Sequence, residues 1–118
     1  FVGRSPVVFK NIHMIPAVDS YRMAELFRVH DIYLTASRND PCSNSLIEAL
    51  NCRLPAVYLR SGGHPEIVKQ AGAGFESAEE IPGLLNQVSD AYEAFQSHIS
   101  MPSIEKVSEE YLKVLELL

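Results

Sequence analysis

The sequence predicts an α/β fold, a doubly wound and mostly parallel sheet that ends in long helices. Short apolar runs without polar alternation recur through the first half of the chain, as expected of strands covered by helices on both faces. Segments with apolar residues at helical spacing separate them, giving the order strand, helix, strand, helix, strand. At 118 residues the chain is long enough to bury roughly two thirds of its unfolded surface in one core. Residues 1–118 are therefore read as one domain unit.

Phe1-Val2, Ile12 to Ile15, Ile32 to Thr35 and Ala56 to Leu59 are the expected strands. Between the second and third, Tyr21 to Val29 places Met23, Ala24, Leu26 and Phe27 on one helical side, with Asp19 and Ser20 as candidate caps. A helix from about Ser43 to Cys52 follows the third strand. Another begins at Pro65, which suits a first helical position, and Gly72 is expected to close it. Ser77-Ala-Glu-Glu80 reads as a capping box, with Pro82 in the first turn behind it. Leu84, Leu85, Val88, Ala91, Tyr92 and Phe95 then mark one face of a long helix. Ser100-Met-Pro-Ser103 breaks it, and Ile104, Val107, Tyr111, Leu115 and Leu118 form the stripe of a last helix, predicted to be core.

A net charge of −5 and the lack of Lys/Arg clusters argue against a nucleic-acid surface, whose affinity comes from cationic side chains. No apolar run approaches the ~20 residues that span a bilayer, and Phe1 opens on a strand-like segment rather than a leader, so a cytoplasmic protein is expected. Cys42 and Cys52 lack CxxC spacing and read as reduced thiols. His13, His30, His64 and His98 form no pair on one helical face, so neither a metal site nor a metal cofactor is expected.

Functional information concentrates between Ser37 and Glu66. In the helix from Ser43, Leu46, Ile47, Ala49 and Leu50 gather on one side, with Asn44, Glu48 and Asn51 on the other. Glu48 is either an ordinary solvated carboxylate or a crevice residue whose two oxygens accept from the vicinal hydroxyls of a sugar. Asn39-Asp-Pro41 is a turn, and Ser43 or Asn44 the N-cap; unpaired N–H groups at such a terminus attract phosphate. Asp40 beside it either caps its own turn or faces a neutral hydroxylated group. The two glycines of Ser61-Gly-Gly-His64-Pro65-Glu66 allow positive φ or close approach of backbone to a ligand.

DPCSNSLIEALNCRLPAVYLRSGGHPEIV resembles the nucleotide-sugar-binding segment of GT-B glycosyltransferases, in particular the retaining family-four group with its acidic-x7-Glu motif. NIHMIPAVDSYRMAELFRVHDIYLTAS is similar to the strand, helix and strand that lead into that motif. The resemblance covers about Phe1 to Phe75 and implies a Rossmann-like C-terminal domain. It implies that Asp40 contacts donor-sugar hydroxyls, that Glu48 binds the nucleotide ribose, and that Cys42, Ser43, Asn44, Gly62 and Gly63 line the substrate. The reaction implied is metal-independent transfer from a nucleoside-diphosphate sugar with retention. The chain departs from the pattern at Asp40, commonly Glu, at Pro41-Cys42-Ser43, usually Gly-Phe-Gly, and at Arg53, usually Gly.

The same resemblance places the first strand-helix unit, the diphosphate-neutralising Arg and Lys, and an N-terminal acceptor-binding domain upstream of Phe1. Arg4, Lys10 and Arg38 are the partial substitutes available here. The expectation is a donor-binding piece of a larger enzyme, with little transferase activity alone and some self-association at the lost partner surface. The alternative is a non-catalytic nucleotide-binding or interaction module of the same fold. A receiver-type phosphoacceptor domain needs a strand-end Asp backed by an acidic pair and a Lys, a constellation not evident in this sequence.

Overall fold

Three parallel strands carry the fold in the computed structural model, which describes residues 1–117. They are β1 (Tyr33–Thr35), β2 (Ala56–Leu59) and β3 (Gly72–Phe75), in that spatial order. Tyr33 pairs with Ala56, and Ala56 with Gly72. The helices are α1 (Ser20–Arg28), α2 (Asn44–Asn51), α3 (His64–Val68), α4 (Ile81–Asp90), α5 (Tyr92–Ser97) and α6 (Ile104–Glu116). The α/β class and the Rossmann-like alternation of strand and helix are as the sequence predicts.

All four residues of β2 are buried, which explains a run with no polar alternation. Ala56 and Tyr58 join Leu46 and Leu50 of α2 and Val68 of α3 on one face; Val57 and Leu59 join Phe75 and Val88 of α4 on the other. Ile99 and Met101, between α5 and α6, return the chain to the first face and pack partly buried against its core. A third cluster, Phe27, Ala49 and Leu54, seats α1 on α2. Two caps follow the sequence reading: the Asp19 side chain accepts from Arg22 N–H, and Ser77 and Glu80 form the reciprocal capping box. Ser103, read only as part of a helix break, also caps α6 by accepting from Lys106 N–H.

Four expectations change. The two strands expected before α1 reduce to one parallel bridge, Val2 with Ile15, supported by Gly3 N–H donating to the Ile15 carbonyl (3.0 Å) and Ile15 N–H to that of Phe1 (2.8 Å). Asn11 turns the chain at φ 62° between them, and Pro16 offers no donor to continue the ladder. Gly72 does not close α3. Lys69 does, at φ 53°, and Gly72 opens β3, where a Cβ would run into the Ala56 carbonyl. The long helix is two helices, divided at Ala91 (φ −114°, ψ 33°). The break lets Tyr92 Oη donate to the Asp31 carbonyl (3.0 Å) and Gln96 Nε2 to that of Arg53 (2.9 Å). Finally, α6 contributes nothing to the buried core: Ile104, Tyr111 and Leu115 are exposed and Val107 is half-buried, while Leu118 lies outside the described residues.

Candidate functional site

The predicted site residues lie on two turns that leave the carboxyl ends of neighbouring strands and on α2, which carries Asn44 and Glu48. The first runs from β1 to α2 and carries Asp40, Cys42 and Ser43; the second runs from β2 to α3 and carries Gly62 and Gly63. In an open parallel sheet this edge is where ligands bind.

The two turns are packed backbone to backbone. Gly63 N–H donates to the Asp40 carbonyl (2.9 Å), and Asn39 N–H donates to Ser61 Oγ (2.9 Å). Gly62 has φ 57°, and a Cβ there would collide with the backbone of Asp40; at Gly63 it would collide with the Pro41 carbonyl. The close approach that the glycine pair predicted is therefore made to the neighbouring loop.

The Asp40 carboxylate, half-buried, accepts from Cys42 N–H at 3.1 Å through Oδ1, which closes its own turn. Ser43 is the N-cap of α2 and is buried, yet its side chain makes no capping hydrogen bond, so the first N–H groups of α2 have no side-chain partner there. Asn44 and Cys42 are exposed at this terminus. Glu48 sits one turn further on, roughly 6 Å along the helix. It is exposed on the same face as Asn44 and Asn51, while Leu46 and Leu50 are buried against the sheet and Ala49 in the cluster with Phe27 of α1.

Arg53, which stands where the family pattern usually has Gly, ends the helix. Arg53 has φ 73°, its N–H donates to the Leu50 carbonyl (2.9 Å), and Leu54 N–H donates to that of Ala49 (3.0 Å), the paired bonds of a Schellman motif. Tyr33 Oη and Ser45 Oγ share a hydrogen bond of 2.7 Å that fastens α2 to β1.

Two cations stand near the turns. Arg38 is exposed in the first. Arg60, at the end of β2, lies over Gly74. The Glu80 carboxyl is held below the usual glutamate range by the N–H groups of Ser77 and Glu76, with the Arg60 charge helping in the same direction. The Arg60 side chain thus lies on the β3 side of the sheet. Among the described residues no group of three His, Cys, Asp or Glu side chains is placed to hold a metal ion. An apolar hollow of about 720 Å³ adjoins the site, running along β1 from Phe1 and Phe27 to Ser37 and Ser45.

Sequence reasoning missed three polar side chains that hold this arrangement: Ser37, Ser61 and His64. His64 is fully buried, with Nδ1 2.9 Å from the Leu59 carbonyl and Nε2 3.2 Å from Ser37 Oγ, itself 3.2 Å from Thr35 Oγ1. The Gly-Gly-His-Pro spacing placed His64 at a helix start, but nothing local signals that its ring turns inward.

The sequence model of the family described as glycosyl transferases group 1 matches residues 8–94. The chain belongs to this family. The match spans α1, the three strands, both turns and α4, and so includes Asp40, Glu48 and the Gly62-Gly63 pair of this group 1 glycosyltransferase. Residues 1–7 and α6 lie outside it. Comparison with curated proteins and with solved structures returns no significant match.

Proposed function

We propose that the chain is a C-terminal donor-binding domain of a retaining, family-four-like glycosyltransferase, and that its ligand is a nucleoside-diphosphate sugar. The observation that carries this reading is the placement of two carboxylates around one helix start. Glu48 is exposed one turn behind an α2 terminus that no side chain caps, and Asp40 stands on the loop before it.

In this reading Glu48 accepts from the two ribose hydroxyls. Asp40 keeps Oδ1 on Cys42 N–H and turns Oδ2 to a sugar hydroxyl. As the bond from the sugar anomeric carbon to the diphosphate oxygen breaks and the bond to the acceptor oxygen forms, negative charge collects on the leaving diphosphate, which takes up the proton that the acceptor hydroxyl loses. The amides of Asn44 and its neighbours, fixed before the reaction, stabilise that charge without a metal. The acceptor is held by a separate domain, so this chain binds donor but turns over little by itself. Free thiols at Cys42 and Cys52 suit a reducing, cytoplasmic setting.

Calorimetric titration of UDP, GDP, dTDP and their sugars against wild type and Glu48→Ala tests the assignment. One nucleotide series should bind wild type and bind the variant about ten- to a hundredfold more weakly, as expected for losing hydrogen bonds to a charged group. Absence of binding by both proteins favours the second reading, a non-catalytic module. The observation on that side is that the Asp40 carboxylate is already engaged by its own loop.

A further inference from the structure

We propose that Ser61 and His64 are positioning residues that hold the loop between β1 and α2, and through it the Asp40 carboxylate, in its place beside the α2 terminus. The proposal rests on the donor-site reading for its consequence, and on geometry alone for its structural part.

The loop from Ala36 to Ser43 has little to fix it from within. Its side chains are mostly exposed, Asn39 sits at φ 56°, and its internal tie is the single Asp40–Cys42 turn. Beyond the contacts of Ser37 with Thr35 Oγ1 at the end of β1, the restraint comes from the other turn, at three places in succession. His64 Nε2 meets Ser37 Oγ (3.2 Å), Ser61 Oγ accepts from Asn39 N–H (2.9 Å), and Gly63 N–H reaches the Asp40 carbonyl (2.9 Å). Two of the three partners are side chains, Ser61 and His64, and both can be removed without altering the glycines.

His64 is suited to this by its surroundings. A carbonyl can only accept, so Nδ1 donates to Leu59 and Nε2 is left to pair with the Ser37 hydroxyl. The ring is wholly buried and meets Tyr58 edge-on, with centroids 6.4 Å apart. It cannot swing away, so the end of β2, the start of α3 and Ser37 form one unit. Asp40 is three residues beyond Ser37, and its carbonyl and amide neighbours are the next two points held.

Sugar and nucleotide should therefore respond differently when the ties are cut. Glu48 sits on α2, which is held by Leu46, Ala49 and Leu50 regardless of the loop. Asp40 depends on the loop. Losing Ser61 or His64 should weaken binding of the sugar while sparing binding of the nucleotide, a split that general loss of stability would not produce.

The experiment compares UDP-glucose with UDP, and GDP-mannose with GDP, on the full chain by calorimetry. The variants are Ser61→Ala, His64→Phe, which keeps an aromatic ring against Tyr58, and the conservative pair Ser61→Thr and His64→Gln. Ser61→Ala and His64→Phe should lower affinity for the sugar nucleotide about three- to tenfold, the range for one lost hydrogen bond, with the nucleoside diphosphate within about twofold. Ser61→Thr and His64→Gln should recover most of the loss. Equal weakening of both ligands, or none of either, overturns the proposal. Should wild type bind no nucleotide at all, the donor-site reading fails, and amide hydrogen exchange decides the positioning claim separately. Ser61→Ala should then speed exchange at Cys42 and Gly63 while Val57 in the core is unchanged; unaltered exchange at Cys42 and Gly63 overturns it.

Discussion

Replacing Arg53 by glycine should stabilise this protein, although it deletes a long side chain. Arg53 occupies the left-handed residue of the Schellman motif that ends α2, at φ 73°. A residue with a Cβ loses about 1–2 kcal/mol there. Glycine avoids that strain but brings a more flexible unfolded chain, which returns roughly 0.5–1 kcal/mol. The side chain is exposed, so little packing is lost, and the bond that Arg53 accepts from Gln96 is to its backbone carbonyl. The net expected gain is about 0.5–1 kcal/mol, or a rise of roughly 2–5 °C in Tm. Urea unfolding followed by far-UV circular dichroism measures it, with Arg53→Ala as the control that removes the side chain and keeps the strain. A midpoint raised in Arg53→Gly and not in Arg53→Ala is expected. A lower midpoint in the glycine variant, or equal shifts in both, would refute the backbone-strain argument.

Three further outcomes follow from the same structure. Gly63→Ala should cost about 1–3 kcal/mol by the same unfolding assay, because its Cβ meets the Pro41 carbonyl; a neutral result means that the two turns are not packed as described. Stability should fall as the solution is acidified. The Glu80 carboxyl is held below the ordinary value of 4.5 by the N–H groups of Ser77 and Glu76, so its contribution is present above that value and is lost as pH falls through the lowered one. Glu80→Gln keeps the capping geometry and should flatten this acid limb of the Tm profile; an unchanged limb would contradict the assignment. Tyr111→Ser, on the exposed face of α6, should change stability by less than about 0.5 kcal/mol, and a larger loss would show that α6 packs on the core.

The fold was most legible where one residue type had one physical reason to be present. The apolar run Ala56 to Leu59 is buried throughout because helices cover both of its faces, and Asp19 and Ser77 cap the elements they precede. β3 was hidden because Gly72-Ala-Gly-Phe75 is poor in strand-forming side chains; its glycines make room for the Ala56 carbonyl and for Arg60. The break at Ala91 was hidden because the apolar spacing continues across it, and only the contacts of Tyr92 with Asp31 and Gln96 with Arg53 show why the axis changes. The α6 stripe has the spacing of a core helix, yet periodicity reports a face and not what covers it. At the site, helical geometry alone turned Glu48 away from the core. The meeting of Gly63 with Asp40 and of His64 with Ser37 joins residues 23 and 27 positions apart, which local pattern does not reach.

The central claim is that Glu48 recognises the ribose of a nucleotide. The most direct measurement compares, by calorimetry, the nucleoside diphosphate that binds best with its 2′,3′-dideoxy analogue, on wild type and on Glu48→Ala. Wild type should prefer the natural ribose by about tenfold or more, and the variant should bind both equally, because the discrimination resides in one carboxylate. The same preference in both proteins, or no preference in wild type, would contradict the account.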